Sequence, residues 1–336
     1  MANTNKIKLG LFLPAKDPNQ PSSIEYPGYV DQNTRDSLVE RLKMDSDIEV
    51  FDGVDFRNAI VVNGDVLLGD MCLNDLDFFF WHAEIDRYPT SYHIEILETL
   101  ADDCVVVNNP SALKIGLDKY LAHTKLRRAG LSVSDFASFP NDLHSYKLMK
   151  KYLAEWGSML IKPRLGAFGH GIIKVDDFST LRDVVGYTRT LDSGRVDAQG
   201  SKTIFVERFY PNDHDEWCSM TILGGELAYG YRKRPEKFHG WKVYDEDRIG
   251  GCVDYILPSD EHRELALRAK DALGLDIIGF DIIKTQPEGR LIIVDENTNP
   301  GFYKDIFRQA GIDPADVLYK YIRQHILYFK ESFIYN

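Results

Sequence analysis

The sequence predicts an α/β protein whose N-terminal part is a small parallel layer and whose C-terminal part turns α+β. Two observations lead to this. Up to about residue 108, short apolar strands alternate with helical stretches, the pattern of a parallel sheet. From Ser111 onward, helices are interleaved with runs that pair as hairpins. In the first part, residues 6–14 (KIKLGLFLP) read as a buried strand, and Arg35 to Lys43 as a helix. IEVFDG, DLDFFFWHA and CVVVNNP read as further strands, the last ended by Asn109-Pro110 because a residue before proline is pushed out of helix.

In the second part, SALKIGLDKYLAHTKLRRAG reads as one helix, with Ser111 as N-cap and Gly130 as its stop. SMLIKPR is a strand, GAFGHG a glycine loop, IIKV a strand and FSTLRDVVGYTRT a helix. The polar stretch DSGRVDAQGSK precedes the strand TIFVERF. WCSMTIL and ELAYGYRK form a hairpin about Gly224-Gly225, DEHRELALRAKDALG is an amphipathic helix, and GFDIIKT and RLIIVDEN are strands. A last helix runs from about Pro314 to Tyr328. The expected division is 1–108, 109–206 with the glycine loop, and 207–336.

Composition narrows the function. With 52 acidic against 40 basic residues, the net charge of -12 disfavours non-specific nucleic-acid binding, which needs cations to replace phosphate counterions. No apolar run of about 18 residues offers a membrane span. LGLFLP is too short for a signal peptide. Cys72, Cys104, Cys218 and Cys252 are scattered, without a CxxC pair, so reduced thiols and a cytoplasmic setting are expected.

The string IKPRLGAFGHGI carries the first chemical signal. Gly166 and Gly171 have P-loop spacing, but Ile172-Ile173 stand where lysine and serine or threonine belong, and the loop opens a strand rather than a helix. Such a loop between antiparallel strands can still fold over phosphates, because glycine amides approach oxygens closely. Lys162, ending the preceding strand, would supply the cation; an ordinary flexible hairpin with a surface lysine is the alternative.

The second signal is acidic. QPEG joins GFDIIKT to RLIIVDEN, and with residue 288 at the tip, equidistant positions place Asp281 opposite Asp295. Alternation puts Leu291, Ile293, Asp295 and Asn297 on one face, and Ile292, Val294 and Glu296 on the other. Opposed Cβ atoms lie about 5 Å apart, where like charges repel. A divalent cation is the natural counter-charge, and oxygen ligands favour magnesium or manganese over zinc. A register slip of one residue would bring in Glu296 instead, and exposed acids at strand ends remain the plain alternative.

Together these pieces resemble the ATP-grasp superfamily, within it the ribosomal-S6-modification (RimK-like) type of carboxylate–amine ligase, over about residues 108–325. NNPSALKIGLDKYLAHTKLRRAGLSV resembles the family's asparagine-proline start and its aspartate-lysine pair. The resemblance implies an ATP-grasp fold preceded by an α/β domain, with ATP and magnesium (or manganese) as cofactors. It implies Lys119 and Lys162 on the phosphates beneath the loop of Gly166, Gly169, His170 and Gly171. Glu207 and the Phe209 backbone would frame adenine. Asp215 and Glu216 are candidates for ribose, although Trp217 occupies the expected register. YGYRKRP resembles the basic strand end, giving Arg232 or Lys233 as catalytic cations. DRIGGCVDY resembles the loop near the acyl phosphate, giving Arg248, Gly250 and Gly251. GFDIIKT and VDENTNPGF match the metal strands, with Asp295 in place of the usual glutamate, Asn297 as the asparagine, and Glu296 as the neighbouring candidate.

The implied reaction activates a carboxylate as an acyl phosphate, which an amine or a carrier-bound thiol attacks. The expected partners are an amino acid or peptide substrate, with a carrier protein as the alternative acceptor and a homo-oligomer as the assembly, and neither nucleic acid nor membrane. His82 and Arg87 are candidates to face a substrate carboxylate, with bland loop roles as the alternative. A kinase using the same ATP site, or a nucleotide-binding regulator, are the rival functions.

Overall fold

The computed structural model describes residues 6–15, 30–166, 169–192, 203–234, 238–243 and 253–334. The chain begins with strand β1 (Ile7–Phe12), helix α1 (Gln32–Met44) and β2 (Ile48–Asp52). Asp31 caps α1 by accepting from the Thr34 amide. A small antiparallel sheet follows: β3 (Ile60–Val62), β4 (Asp65–Leu68) and β5 (Met71–Cys72). Then come β6 (Phe78–Trp81), α2 (Tyr92–Leu100) and β7 (Val105–Val107). Strands in the order β2-β1-β6-β7 pair in parallel, as the strand–helix alternation predicts.

The helix expected over 111–130 is broken. It is two helices, α3 (Pro110–Leu117) and α4 (Lys119–Arg128), separated at Asp118 in extended conformation. The Asp118 carboxylate accepts from the Tyr120 and Leu121 amides and so begins a new helix. Nor is Ser111 the N-cap; Asn109 caps α3, with Pro110 at the first helical position. Gly130 does end α4, at φ +74°.

A second sheet, order β10-β9-β11-β8, is built from β8 (Phe136–Pro140), β9 (Met159–Lys162), β10 (Ile173–Val175) and β11 (Thr203–Arg208). Helices α5 (Leu143–Trp156) and α6 (Phe178–Asp192) flank it, closing a separate core around Met149, Leu153, Met159 and Leu181. The third sheet runs β16-β13-β12-β17-β18. It comprises β12 (Cys218–Leu223), β13 (Glu226–Lys233), β16 (Val253–Ile256), β17 (Ile277–Lys284) and β18 (Leu291–Asn297), with a two-stranded flap of β14 (Phe238–His239) and β15 (Lys242–Val243). Helix α7 (Asp260–Leu273) packs Ala266, Ala269 and Leu273 into the core and ends at Gly274 in the left-handed region.

After α8 (Lys304–Ala310), the final helix α9 (Pro314–Ile334) returns to the first unit. Its Leu318, Tyr321, Ile322 and Ile326 share one apolar cluster with Leu38 and Leu42 of α1 and with Leu9, Leu11, Phe78 and Phe80 of the first sheet. Arg41 pairs with Asp313 and Asp316, and Arg323 with Asp45 and Asp47. No helix among the described residues is long and apolar enough to cross a membrane.

Candidate active site

A cleft opens between the second and third sheets. Its first chamber, about 750 Å³, is walled by Leu160, Ile172, Phe209, Tyr210, Trp217 and Trp241. Its second, about 690 Å³, is bordered by Arg87, Gly166, Asn297, Asn299, Tyr231 and Tyr303. Asp281, Asp295 and Lys233 border both.

The register of β17 and β18 places Asp281 directly opposite Asp295. The two faces of β18 differ, however, from strict alternation. Beyond Asp281 the ladder shifts, pairing Ile282 with Ile293 and Ile283 with Ile292, so Val294 has no partner across the strands. This bulge re-aims the residues after it. Asp295 and Asn297 therefore share the cleft face with Ile292 rather than with Leu291 and Ile293, and Glu296 lies level with Phe280 on the core side. The bulge also frees the Val294 carbonyl, which accepts from Lys162 Nζ at 3.0 Å.

Each acid of the cleft meets a lysine. Lys233 donates to Asp281 at 2.8 Å, and Ser219 Oγ donates to the other oxygen of that carboxylate at 2.5 Å. Lys119 pairs with Asp295. Lys162 pairs with Glu207 at 2.9 Å. Phe205 faces Lys162 across β11 and β9, so Glu207 is its diagonal neighbour on the same face. Burial opposes charge on Lys119, yet the Asp295 carboxylate that it pairs with outweighs burial and holds the ammonium above the ordinary lysine value. Burial likewise works against charge on Asp295, but Lys119 and Lys162 overcome it and keep the carboxyl below its usual range. The Asp295 side chain is still 43% exposed, open to whatever enters the cleft.

Beneath this layer lies a buried cluster that sequence reasoning missed. His123 of α4 is fully buried, 3.5 Å from Glu207 Oε1 and 3.5 Å from Glu296 Oε2. Ser134 donates to the second Glu207 oxygen at 2.6 Å. Burial, with Lys162 and Lys119 nearby, pulls the His123 imidazole down to about 4 against the opposing pull of Glu207. Burial also pushes Glu296 well above the carboxylate range, with Asp295 adding to it and Lys119 opposing. Neither Glu296 oxygen has a hydrogen-bond partner among the described residues. A neutral, protonated Glu296 is the form this pocket favours. The only signal in the sequence was a histidine at a helix position whose neighbours Ala122 and Leu126 are core.

The glycine loop follows β9 and leads into β10, which pairs antiparallel with β9. Gly166, Gly169 and His170 line a small recess with Lys119 and Asp295. Gly169 (φ +77°) has no room for a side chain, since a Cβ would lie 2.6 Å from the Val243 carbonyl of the flap. Gly171 (φ +69°) turns the chain into β10. Asp118 fixes the other side: Arg164 pairs with it, and the Arg164 carbonyl accepts from the Lys119 amide at 3.0 Å. Lys119 is thereby held at the start of α4, facing the cleft.

Other expected residues are placed elsewhere. Along β13, Tyr231 and Lys233 face the cleft, while Arg232 is exposed on the opposite side, level with Asp254. Asp215 and Glu216 lie on an exposed single turn and do not border the cleft; Glu216 is 3.6 Å from Lys284. Trp217 fills that wall instead, with Lys233 Nζ 5.4 Å from its ring. His82 is buried against the Pro300 carbonyl at 3.0 Å and the Phe302 ring, whereas Arg87 borders the second chamber. Arg248, Gly250 and Gly251 lie outside the described residues. Among the described residues, no three His, Cys, Asp or Glu side chains gather into a ready-made metal cluster. The facing aspartates are the oxygen donors present, and lysines balance them.

Four likenesses bear on this geometry. The chain is 27% identical over 287 residues, 77% of its length, to the tetrahydromethanopterin:α-L-glutamate ligase of Methanosarcina acetivorans, of which the match covers 83%. It is 20% identical to the glutamate–LysW ligase ArgX of Sulfolobus acidocaldarius, covering 72% of this chain and 80% of that protein. The crystal structure of D-alanyl-alanine synthetase A from Vibrio cholerae superposes with a TM-score of 0.64 over 96% of this chain and 99% of that one, at 14% identity, which establishes the fold alone. Residues 117–322, well over half the chain, match the RimK-like ATP-grasp domain. That span begins one residue before Asp118, whose break in the helix aims Lys119, and runs past both facing aspartates: the chain belongs to the RimK-like ATP-grasp family of ligases.

Proposed function

We propose that the protein uses ATP to activate the carboxylate of an amino acid as an acyl phosphate and joins it to an amine or carrier-bound thiol, releasing ADP and phosphate. The observation that carries this reading is the convergence of Lys119, Lys162 and Lys233 on the cleft edge occupied by Asp281 and Asp295, beneath a glycine loop. The aromatic first chamber suits adenine, with Glu207 and Phe209 at its rim. The three lysines and the loop amides would cradle the phosphates, fixing positive charge where negative charge develops.

Asp281, Asp295 and Asn297 form an oxygen-only donor set that suits magnesium or manganese. Each aspartate already accepts a cation's charge, from Lys233 or Lys119, which supports the fit. A bound metal ion would neutralise phosphate oxygens during transfer. The γ-phosphoryl group passes to a carboxylate oxygen as its bond to ADP breaks. The acceptor nitrogen or sulfur then attacks the acyl carbon, phosphate leaves, and the acceptor loses a proton. The second chamber, with Arg87, Tyr231 and Tyr303, is where the acid and acceptor would meet. Two relatives named as glutamate ligases make glutamate the first acid to try.

ADP and inorganic phosphate release, measured with ATP, magnesium and mixed amino acids including glutamate, tests the reading. Equal release of both, dependent on acid and acceptor together, is expected. ADP without phosphate would indicate a kinase, and no ADP at all would sink the enzymatic reading. Asp295→Asn should abolish release while leaving the fold largely intact, as circular dichroism would show; full activity would remove the metal assignment.

A further inference from the structure

The small sheet β3–β4–β5 borders neither chamber of the cleft, and its outer strand has an unusual surface. Ile60, Val61 and Val62 pair with Leu67, Val66 and Asp65 on one side, and among the described residues no strand pairs with the other. All three are open to solvent, at 56%, 36% and 43%. Asn63 and Gly64 (φ +54° and +97°) form the two-residue turn of a tight hairpin. In such a hairpin the residues flanking the turn bond to each other, so Val62 and Ile60 direct their backbone inward and Val61 directs its N–H and C=O outward. Natural edge strands are guarded by lysine, proline or a bulge, and β3 carries none of these.

The surroundings select a partner. Residues 53–105 contain eleven acidic residues against two basic ones, Arg57 and Arg87, and Arg57 is closed by Asp55 at 2.7 Å. Asp65, Asp70 and Asp75 of this segment are exposed. We infer that the outer edge of β3 docks an extended, basic peptide segment of a partner protein, which adds to the sheet as a fourth strand. Main-chain bonds to Val61 supply the pairing, apolar side chains cover Ile60 and Val62, and intervening lysines or arginines face the acidic surround. A second copy of this chain, at net charge -12, would bring like charge to that edge.

The test uses fluorescently labelled peptides and anisotropy in low salt. The probe is Lys-Val-Lys-Val-Lys-Val-Lys; the comparators are the Glu-Val analogue and Lys-Pro-Lys-Pro-Lys-Pro-Lys, which keeps the charge but cannot extend a ladder. The Lys-Val peptide should bind at least tenfold tighter than either. Ile60→Lys, at an exposed position, should weaken it at least tenfold, and Val61→Pro, which deletes the outward N–H, should do the same. ADP release should be unchanged in both variants. Equal binding of the Lys-Val and Lys-Pro peptides would overturn the inference, since charge alone would then suffice. So would binding indifferent to Ile60→Lys, or sedimentation showing that the strand is covered by a second copy that the peptide fails to displace. None of these outcomes depends on which acid the enzyme ligates.

Discussion

Lys162 holds two assignments at once, as a phosphate cation and as the partner of buried Glu207. Removing one member of a buried pair leaves an unpaired charge and costs about 3–5 kcal/mol, whereas replacing both with apolar residues is often neutral. Lys162→Met should therefore lower both stability and ATP affinity. Lys162→Met/Glu207→Leu should recover most of the melting temperature but none of the affinity, as calorimetry and nucleotide titration would show. Recovery of both would mean that Lys162 is structural only. His123 makes a separate prediction. Its folded-state value near 4 lies below the unfolded value, so the unfolded chain takes up the proton first as pH falls. Its contribution is complete above about pH 6.5 and is lost between there and about 4, by at most about 3 kcal/mol. Glu296, held protonated, acts in the opposite direction as pH rises, so the two are separated by mutation. His123→Leu should melt less steeply with acid over that window than the parent; parallel curves would refute the assignment.

At the scale of elements, small departures from ideal geometry aim the site. Val294, the unpaired residue, turns Asp295 toward the cleft and sends Glu296 inward. Deleting Val294 should straighten the ladder with Asp295 still opposite Asp281, but it removes the carbonyl that holds Lys162, so ADP release should fall at least tenfold while the strands remain, as circular dichroism would report. Near-normal turnover would show that the bulge is incidental. These elements also show what the sequence could convey. Two aspartates around a turn are visible as a pair, because antiparallel symmetry needs only the position of the tip. The bulge was not legible, since either face assignment buries equally apolar residues. Asp118 was visible as a residue, but its capping role depends on Arg164, which is distant in sequence. Asn63-Gly64 is a strong hairpin signal, but its flanking strands are too short for periodicity to register. Arg232 and Lys233 were separable only once the strand's pairing was known.

At the scale of the molecule, α9 belongs by sequence to the last third and by packing to the first. Ending the chain after residue 313 would uncover Leu38, Leu42 and the face of the first sheet they share with Leu318, Tyr321 and Ile322. Each such side chain contributes about 1.5–3 kcal/mol, together comparable with the whole stability of a typical domain. That truncation should lose cooperative melting and become poorly soluble, and a sharp, near-parental transition would contradict it. The same contact has a temporal side. Arg41 and Asp316, which it joins, are 275 residues apart. At about 5–20 residues per second, synthesis leaves Arg41 and the helix that carries it waiting roughly fourteen to fifty-five seconds for α9. Through that interval one apolar face of the nascent unit is bare, which makes the arrival of α9, rather than local collapse, the step that fixes the native state.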